Sequence, residues 1–340
     1  MRLIPWKEQL AVDLGTAHVH ICVKGGGVVV REPTVIAFSA DRRRPVAYGS
    51  EAKQMLDREV SEVQVVRPLQ GGVVADFDAT VALLRHLIHQ ALGHRPLLAP
   101  TVVTAAPTRA TQVEQRALTT SLRAAGAGQV LAVPKVLAAA VGAGIAMDDP
   151  QSRLILDIGA GATDVGVVAM GMTAAGASIH FGGDDLDEAI IRFLKRRRSI
   201  QIGTARAEEI KTLAGAVAPE PAGDPAAAGL EELTPNNNSG SNPSLDAIPE
   251  LLAQAMRPAV AELQWVLESI PEKQQEEIAN SDGVLTGGCA LLRGLDRLVS
   301  QELALTIKTA TDPGSCTILG LEAIMNDLRA LTLNGRRFAQ

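Results

Sequence analysis

Asp13 lies in "LAVDLGTAHV" (residues 10–19) and Asp157 in "LILDIGAGATDVGVV" (154–168). In each stretch an apolar strand runs into an aspartate, breaks on small residues two positions later and resumes as a strand. The two aspartates are 157 − 13 = 144 positions apart, so the chain carries two copies of one device. A strand–turn–strand with glycine in its turn exposes backbone N–H groups at the tip. Such a nest binds phosphate oxygens, and glycine lets the backbone come close. An aspartate just before the turn would repel phosphate unless a cation lay between, and Mg²⁺ held through water meets that need. Two such hairpins facing each other would clamp one polyphosphate. Gly15, Thr16, Ala17 and His18 would hold it from one side, Gly159, Ala160, Gly161 and Ala162 from the other. Asp13 and Asp157 would share the metal.

One such turn alone reads as a tight hairpin with a capping aspartate. The repetition, followed by a third segment "VLTGGCALLRGL" (284–295), is what points to a nucleotide. That segment is a strand ending in Gly287–Gly288, which either lies against an adenine or ribose face or simply opens a helix.

The surrounding elements alternate. Residues 9–38 read as strands and "DATVALLRHLIHQAL" (78–92) has helical periodicity. "LAPTVVTAAP" (98–107) is a buried strand, followed by a helix with Thr111 and Glu114 placed as a capping box. "GQVLAVP" is a further strand and "KVLAAAVGAGIA" a helix. In the second half Leu186, Ala189, Ile190, Phe193 and Leu194 form one apolar helical stripe. Acids open that helix and Lys195–Arg198 close it, as the helix dipole favours. A helix over 247–270 and a closing helix near 318–332 complete an α/β pattern. Residues 214–245 are rich in Ala, Pro, Gly and Asn and read as loop.

A chain of 340 residues implies two domains. With 46% hydrophobic but only 2% aromatic residues, Ala, Val, Leu and Ile must build the cores. A net charge of −6 argues against nucleic acid as partner, the basic runs Arg42–Arg44 and Arg192–Arg198 being local. Cys22, Cys289 and Cys316 have no metal-site spacing and suit buried thiols in a reducing cytoplasm. The apolar run Leu131–Met147 is Ala-rich and interrupted by Lys135, which favours a buried helix over a membrane span. The opening "MRLIPWKEQL" lacks the apolar stretch of a secretion signal.

Taken in order, these segments resemble the superfamily of actin and the seventy-kilodalton heat-shock ATPases, and within it the bacterial actins of the MreB type. The likeness runs through "VDLGTAHVHICVKGGGVVVREPTVIAF", "VRPLQGGVVADFDAT", "ATQVEQRAL", "FGGDDLDEAII", "AEEIK" and "GVLTGGCALLRGLDRL". His18 and the "DIGAG" turn also resemble the MamK type. The resemblance implies an actin-like fold, two duplicated α/β domains around a nucleotide cleft. Residues 1–150 would form domain I, with the C-terminal helix (about 318–335) packing back on it. Residues 151–317 would form domain II, with a loop-rich small subdomain over about 212–246. It implies ATP and Mg²⁺ as cofactors. It assigns Glu208, Glu209, Ile210 and Lys211 to a helix segment flanking the adenosine, and Gly287, Gly288, Cys289 and Ala290 to an adenosine loop. The implied partner is the chain itself, or a related actin-like protein, in a filament serving cell shape or intracellular organisation.

Two departures stand out. Family members carry "E-P-x-A-A-A", whose glutamate positions the attacking water; here "VPKVLAAAVGAG" puts Lys135 at that glutamate. A lysine ammonium cannot accept a proton, so no catalytic residue is assigned and weak or absent hydrolysis is expected. Ala162 also replaces a usual threonine, and the 214–245 stretch has lost strand character. These departures keep open a catalytically silent scaffold that regulates another actin-like filament, beside a MamK-like organelle-positioning filament. A sugar-kinase-like enzyme would need an aspartate base for which the sequence offers no candidate. Leu3, Ile4 and Trp6, and the Leu97–Leu98 pair, either touch the inner-membrane surface or fold onto the core. The expected location is cytoplasmic, peripheral at that membrane if they touch it.

Overall fold

The computed structural model describes residues 7–42, 44–57, 63–217 and 247–327. The first half opens with strands β1 (Gln9–Leu14), β2 (His18–Val23) and β3 (Gly27–Pro33). Next come β4 (Ile36–Ser39), β5 (Pro45–Tyr48), helix α1 (Gly49–Asp57) and β6 (Val63–Val66). A short hairpin, β7 (Leu69–Gln70) and β8 (Val73–Val74), leads into α2 (Phe77–Leu92). Then follow β9 (Thr101–Ala106), α3 (Gln112–Ala125), β10 (Gln129–Pro134) and α4 (Lys135–Gly142). The second half begins with β11 (Arg153–Ile158), β12 (Thr163–Ala169), β13 (Met172–Ile179), α5 (Gly183–Arg198) and α6 (Thr204–Ala214). Past residue 246, the helices Ala247–Glu268 and Glu272–Ala279 precede β14 (Gly283–Thr286). Helix Leu295–Leu303, β15 (Ile307–Thr309) and helix Cys316–Asn326 follow.

Two five-stranded sheets have one plan: β3-β2-β1-β9-β10 and β13-β12-β11-β14-β15. In each, the aspartate-bearing strand is central, antiparallel to its hairpin partner and parallel to the strand on its other side. A central strand covered on both faces must be apolar throughout, and Leu10, Ala11, Val12, Leu154, Ile155 and Leu156 are all fully buried.

The closing helix packs on the first sheet, with Ile318, Leu321 and Ile324 clustered against Ala11 and Val103. Conversely α4 sends Val136 and Leu137 to Ile155 and Val168 of the second sheet. The two helices cross where neither carries a side chain. A Cβ on Gly142 would fall 1.8 Å from the Cys316 carbonyl oxygen, and one on Gly320 1.8 Å from that of Ala138. Glycine is what permits this backbone approach.

Three details differ from the sequence reading. Residues 27–38 are not continuous in one sheet. Thr34 donates its N–H to Ala17 O (2.8 Å) and its hydroxyl to Gly15 O (2.6 Å), and β4 leaves for a separate β5-β4-β6 sheet beside α1. The strand in "VLTGGCALL" stops at Thr286, because Gly287 (φ +88°) turns the chain into a short 3-10 helix, Gly288–Leu291. The β7–β8 hairpin and β13 have no counterpart in that reading. Leu3, Ile4 and Trp6 lie outside the described residues, as does the loop-rich stretch from 218 to 245. No helix among the described residues is long and apolar enough to cross a membrane. The three cysteines are free and buried.

Candidate functional site

The two aspartate turns share their closing hydrogen bond. Gly15 N–H donates to His18 O and Gly159 N–H to Ala162 O, each at 2.9 Å. Both turns line one cavity of about 750 Å³. A Cβ on Gly161 would fall 2.5 Å from Thr16 Oγ1, so the turns meet at contact and glycine is required there. The second turn is also fixed from behind. At the N-terminus of α5, Gly183 and Asp184 donate N–H groups to Gly159 O and Ala160 O.

The β7–β8 hairpin forms a third wall. Gly72 N–H donates to Thr16 Oγ1 (3.0 Å), and a Cβ on Gly72 would meet that of Ala162 at 2.7 Å. His180 Nδ1 lies 2.9 Å from Gly71 O. The Gly71–Gly72 pair was the available signal, since consecutive glycines between short apolar runs mark a turn; its place beside the other two turns was not in the pattern.

The expected adenosine residues divide. Gly287, Gly288 and Cys289 line the cavity, as do Glu208 and Lys211. Ile210 turns into the second core and Ala290 is buried in it. Glu209 pairs with Arg206 on the exposed face of α6. Lys211 Nζ donates to Gly183 O (2.8 Å) and Asp187 Oδ2 (2.9 Å). Burial pushes the Asp187 carboxyl up to about 6 although Lys211 opposes it. Glu208 reaches across the opening to Lys53 of α1 (3.0 Å), and Arg67 pairs with Asp184 at 3.2 Å. Burial acts to raise the Glu208 carboxyl, but Lys53 outweighs it and holds it below its ordinary value. The Cys289 thiol, pushed up to about 11 by burial, points at Gly159 O (3.3 Å).

At the centre the two aspartates differ. Asp13 stands opposite His20 in the ladder, Oδ2 at 3.7 Å from Nδ1. Asp157 stands opposite Asp164 and is almost wholly enclosed. Thr286 and Thr317 donate hydroxyls to its Oδ2 (3.1 and 3.3 Å). Lys135 Nζ lies 2.7 Å from its Oδ1. Burial works against the lysine's charge, yet Asp157, Asp164 and Asp13 together hold the ammonium above the ordinary lysine range. Asp164, raised by burial, accepts from Thr108 N–H (2.6 Å) and Ser178 Oγ (2.5 Å). Lys135 therefore lines the cavity beside the two aspartate turns, and its near partner is Asp157, the carboxylate expected to hold the metal.

A family model described as MreB/Mbl protein matches residues 7–333. The chain belongs to the MreB/Mbl family. Among relatives, the cell shape-determining protein MreB of Escherichia coli (strain K12) is 37% identical over 330 residues, 93% of this chain and 92% of that protein. The cell shape-determining protein Mbl of Bacillus subtilis (strain 168) is 32% identical, over 95% and 97%. Among solved structures, MreB5 of Spiroplasma citri bound to AMPPNP superposes with a TM-score of 0.86 at 28% identity, covering 97% and 99% of the two chains. The MamK double helical filament superposes at 0.77 with 21% identity, covering 95% and 99%, which establishes the common actin-like fold. This member of the MreB/Mbl family thus joins the fold expected from its sequence to a lysine at the centre of the cleft.

Proposed function

We propose that this chain is an MreB-type actin that binds a nucleoside triphosphate, ATP in the first instance, between the Asp13 and Asp157 turns. The observation that carries this reading is the pair of turns with the same closing bond, meeting at Thr16 and Gly161 on the cavity. The related MreB5 structures bound to AMPPNP and to ADP support it. Residues 1–150 and 151–317 act as the two halves of the clamp. Hydrolysis is weak, because Lys135 stands at the position expected for the water-orienting glutamate and cannot accept a proton.

What speaks against the expected Mg²⁺ is the donor set. Both oxygens of Asp157 are engaged, one by an ammonium. Unit charges roughly 4 Å apart at an effective dielectric of 20 repel by about 4 kcal/mol, and a divalent ion doubles that.

Self-assembly, or joining the filament of a related actin, is the cellular part of the proposal, in the service of cell shape. Leu97, 90% exposed, and Leu98, 46% exposed, offer an apolar loop for a membrane surface. The lysine favours one second reading, a catalytically silent partner of another filament. Calorimetric titration with ATP tests the nucleotide site, and absence of binding refutes it. Pelleting with ATP alone separates the two cellular readings, since only a self-assembling protein sediments.

A further inference from the structure

The Lys135 ammonium lies within the phosphate device. It is 2.7 Å from Asp157 Oδ1, and the position a Cβ would take on Gly159 is only 3.6 Å from Nζ. It stems from the first residue of α4, immediately after β10, so the edge strand of the first sheet and a helix packed on both sheets fix its base. Asp13, Asp157 and Asp164 form an acidic surround in which a cation is stabilised, and all three act on this one. A hydrated divalent ion expected against Asp13 and Asp157 would have to share that surround with a resident positive charge.

We propose that Lys135 takes the place of the divalent metal, so that this chain binds its nucleoside triphosphate free of Mg²⁺. The inference rests on the nucleotide reading given above. The ammonium neutralises Asp157, which would otherwise repel a phosphate, and presents positive charge to the polyphosphate held by the two turns. A lysine acts on phosphate as a point charge and needs no coordination shell. The required ligand is thus the uncomplexed triphosphate.

The test is calorimetric titration of the full chain with ATP, once in excess EDTA and once in excess Mg²⁺. By linkage, a metal that assists the nucleotide raises its affinity by a defined factor; here ATP should bind at least as tightly in EDTA as in excess Mg²⁺. Lys135→Gln removes the charge, and its affinity in EDTA should fall about tenfold or more and recover with Mg²⁺. Wild-type binding that needs Mg²⁺, with a loss of about tenfold or more in EDTA, overturns the inference and leaves the nucleotide site standing. Binding in neither condition overturns both. The wild-type comparison decides the matter even if the variant fails to fold.

Discussion

The hairpins Gln9–Val23 and Arg153–Ala169 share a sheet position, a central aspartate and the bond that closes the turn. They differ in what surrounds the aspartate. Asp13 keeps a partly exposed side chain opposite His20, whereas Asp157 is enclosed, opposite a second carboxylate and against an ammonium. The shared features are backbone features, set by strand pairing and small turn residues. The divergent ones are side chains contributed by other elements, Lys135 from α4 and Thr317 from the closing helix. A duplicated backbone therefore does not impose duplicated electrostatics. The second copy is organised around a cation that the first lacks.

The largest expected effect tests the symmetric part. Gly142→Ala and Gly320→Ala each drive a methyl into a backbone carbonyl at the helix crossing. Each should lower stability by about 4 kcal/mol, read from urea midpoints. Tolerance of either within about 1 kcal/mol would mean that the crossing relaxes freely. The next test breaks the symmetry. Asp157→Asn leaves the Lys135 ammonium without its nearest partner and should destabilise by about 3 kcal/mol. Asp13→Asn, at a looser and more exposed pair, should cost under about 1 kcal/mol. Equal losses would show that the copies are energetically equivalent after all.

A third effect concerns the second half alone. Asp187 is raised from 3.8 to about 6, so the folded state binds more protons than the unfolded state between those values. Stability should therefore fall as pH rises from 3.8 to about 6 and level off above. Asp187→Asn should remove about 2 kcal/mol of that decline in thermal scans across the range. The smallest effect lies in the first half. Thr111 and Glu114 cap α3 reciprocally, with N–H donations of 3.3 and 2.8 Å. Thr111→Ala should cost about 1 kcal/mol in the same scans.

Much was legible in sequence because it is local. The capping box at Thr111, the aspartate–glycine turns and the apolar central strands each follow from neighbouring residues, and the structure has all three. The order of motifs carried the actin-like fold. Glu209, Ile210 and Ala290 show the limit. Adjacency to Glu208, Lys211 or Cys289 placed them at the site, but helix geometry turns neighbouring side chains to different faces, and none of the three lines the cavity.

The sequence by itself determined the duplication, the identity of the two aspartates and the presence of a lysine where a glutamate is expected. Those are matters of residue type and spacing along one chain. Only the tertiary structure decided that Lys135 meets Asp157 and that Gly72 touches both turns. It alone set Glu208 against Lys53 across the opening. Such contacts join elements far apart in sequence. They depend on how two helices cross at Gly142 and Gly320 and bring two separately folded sheets together, and no periodicity within either half encodes that relation.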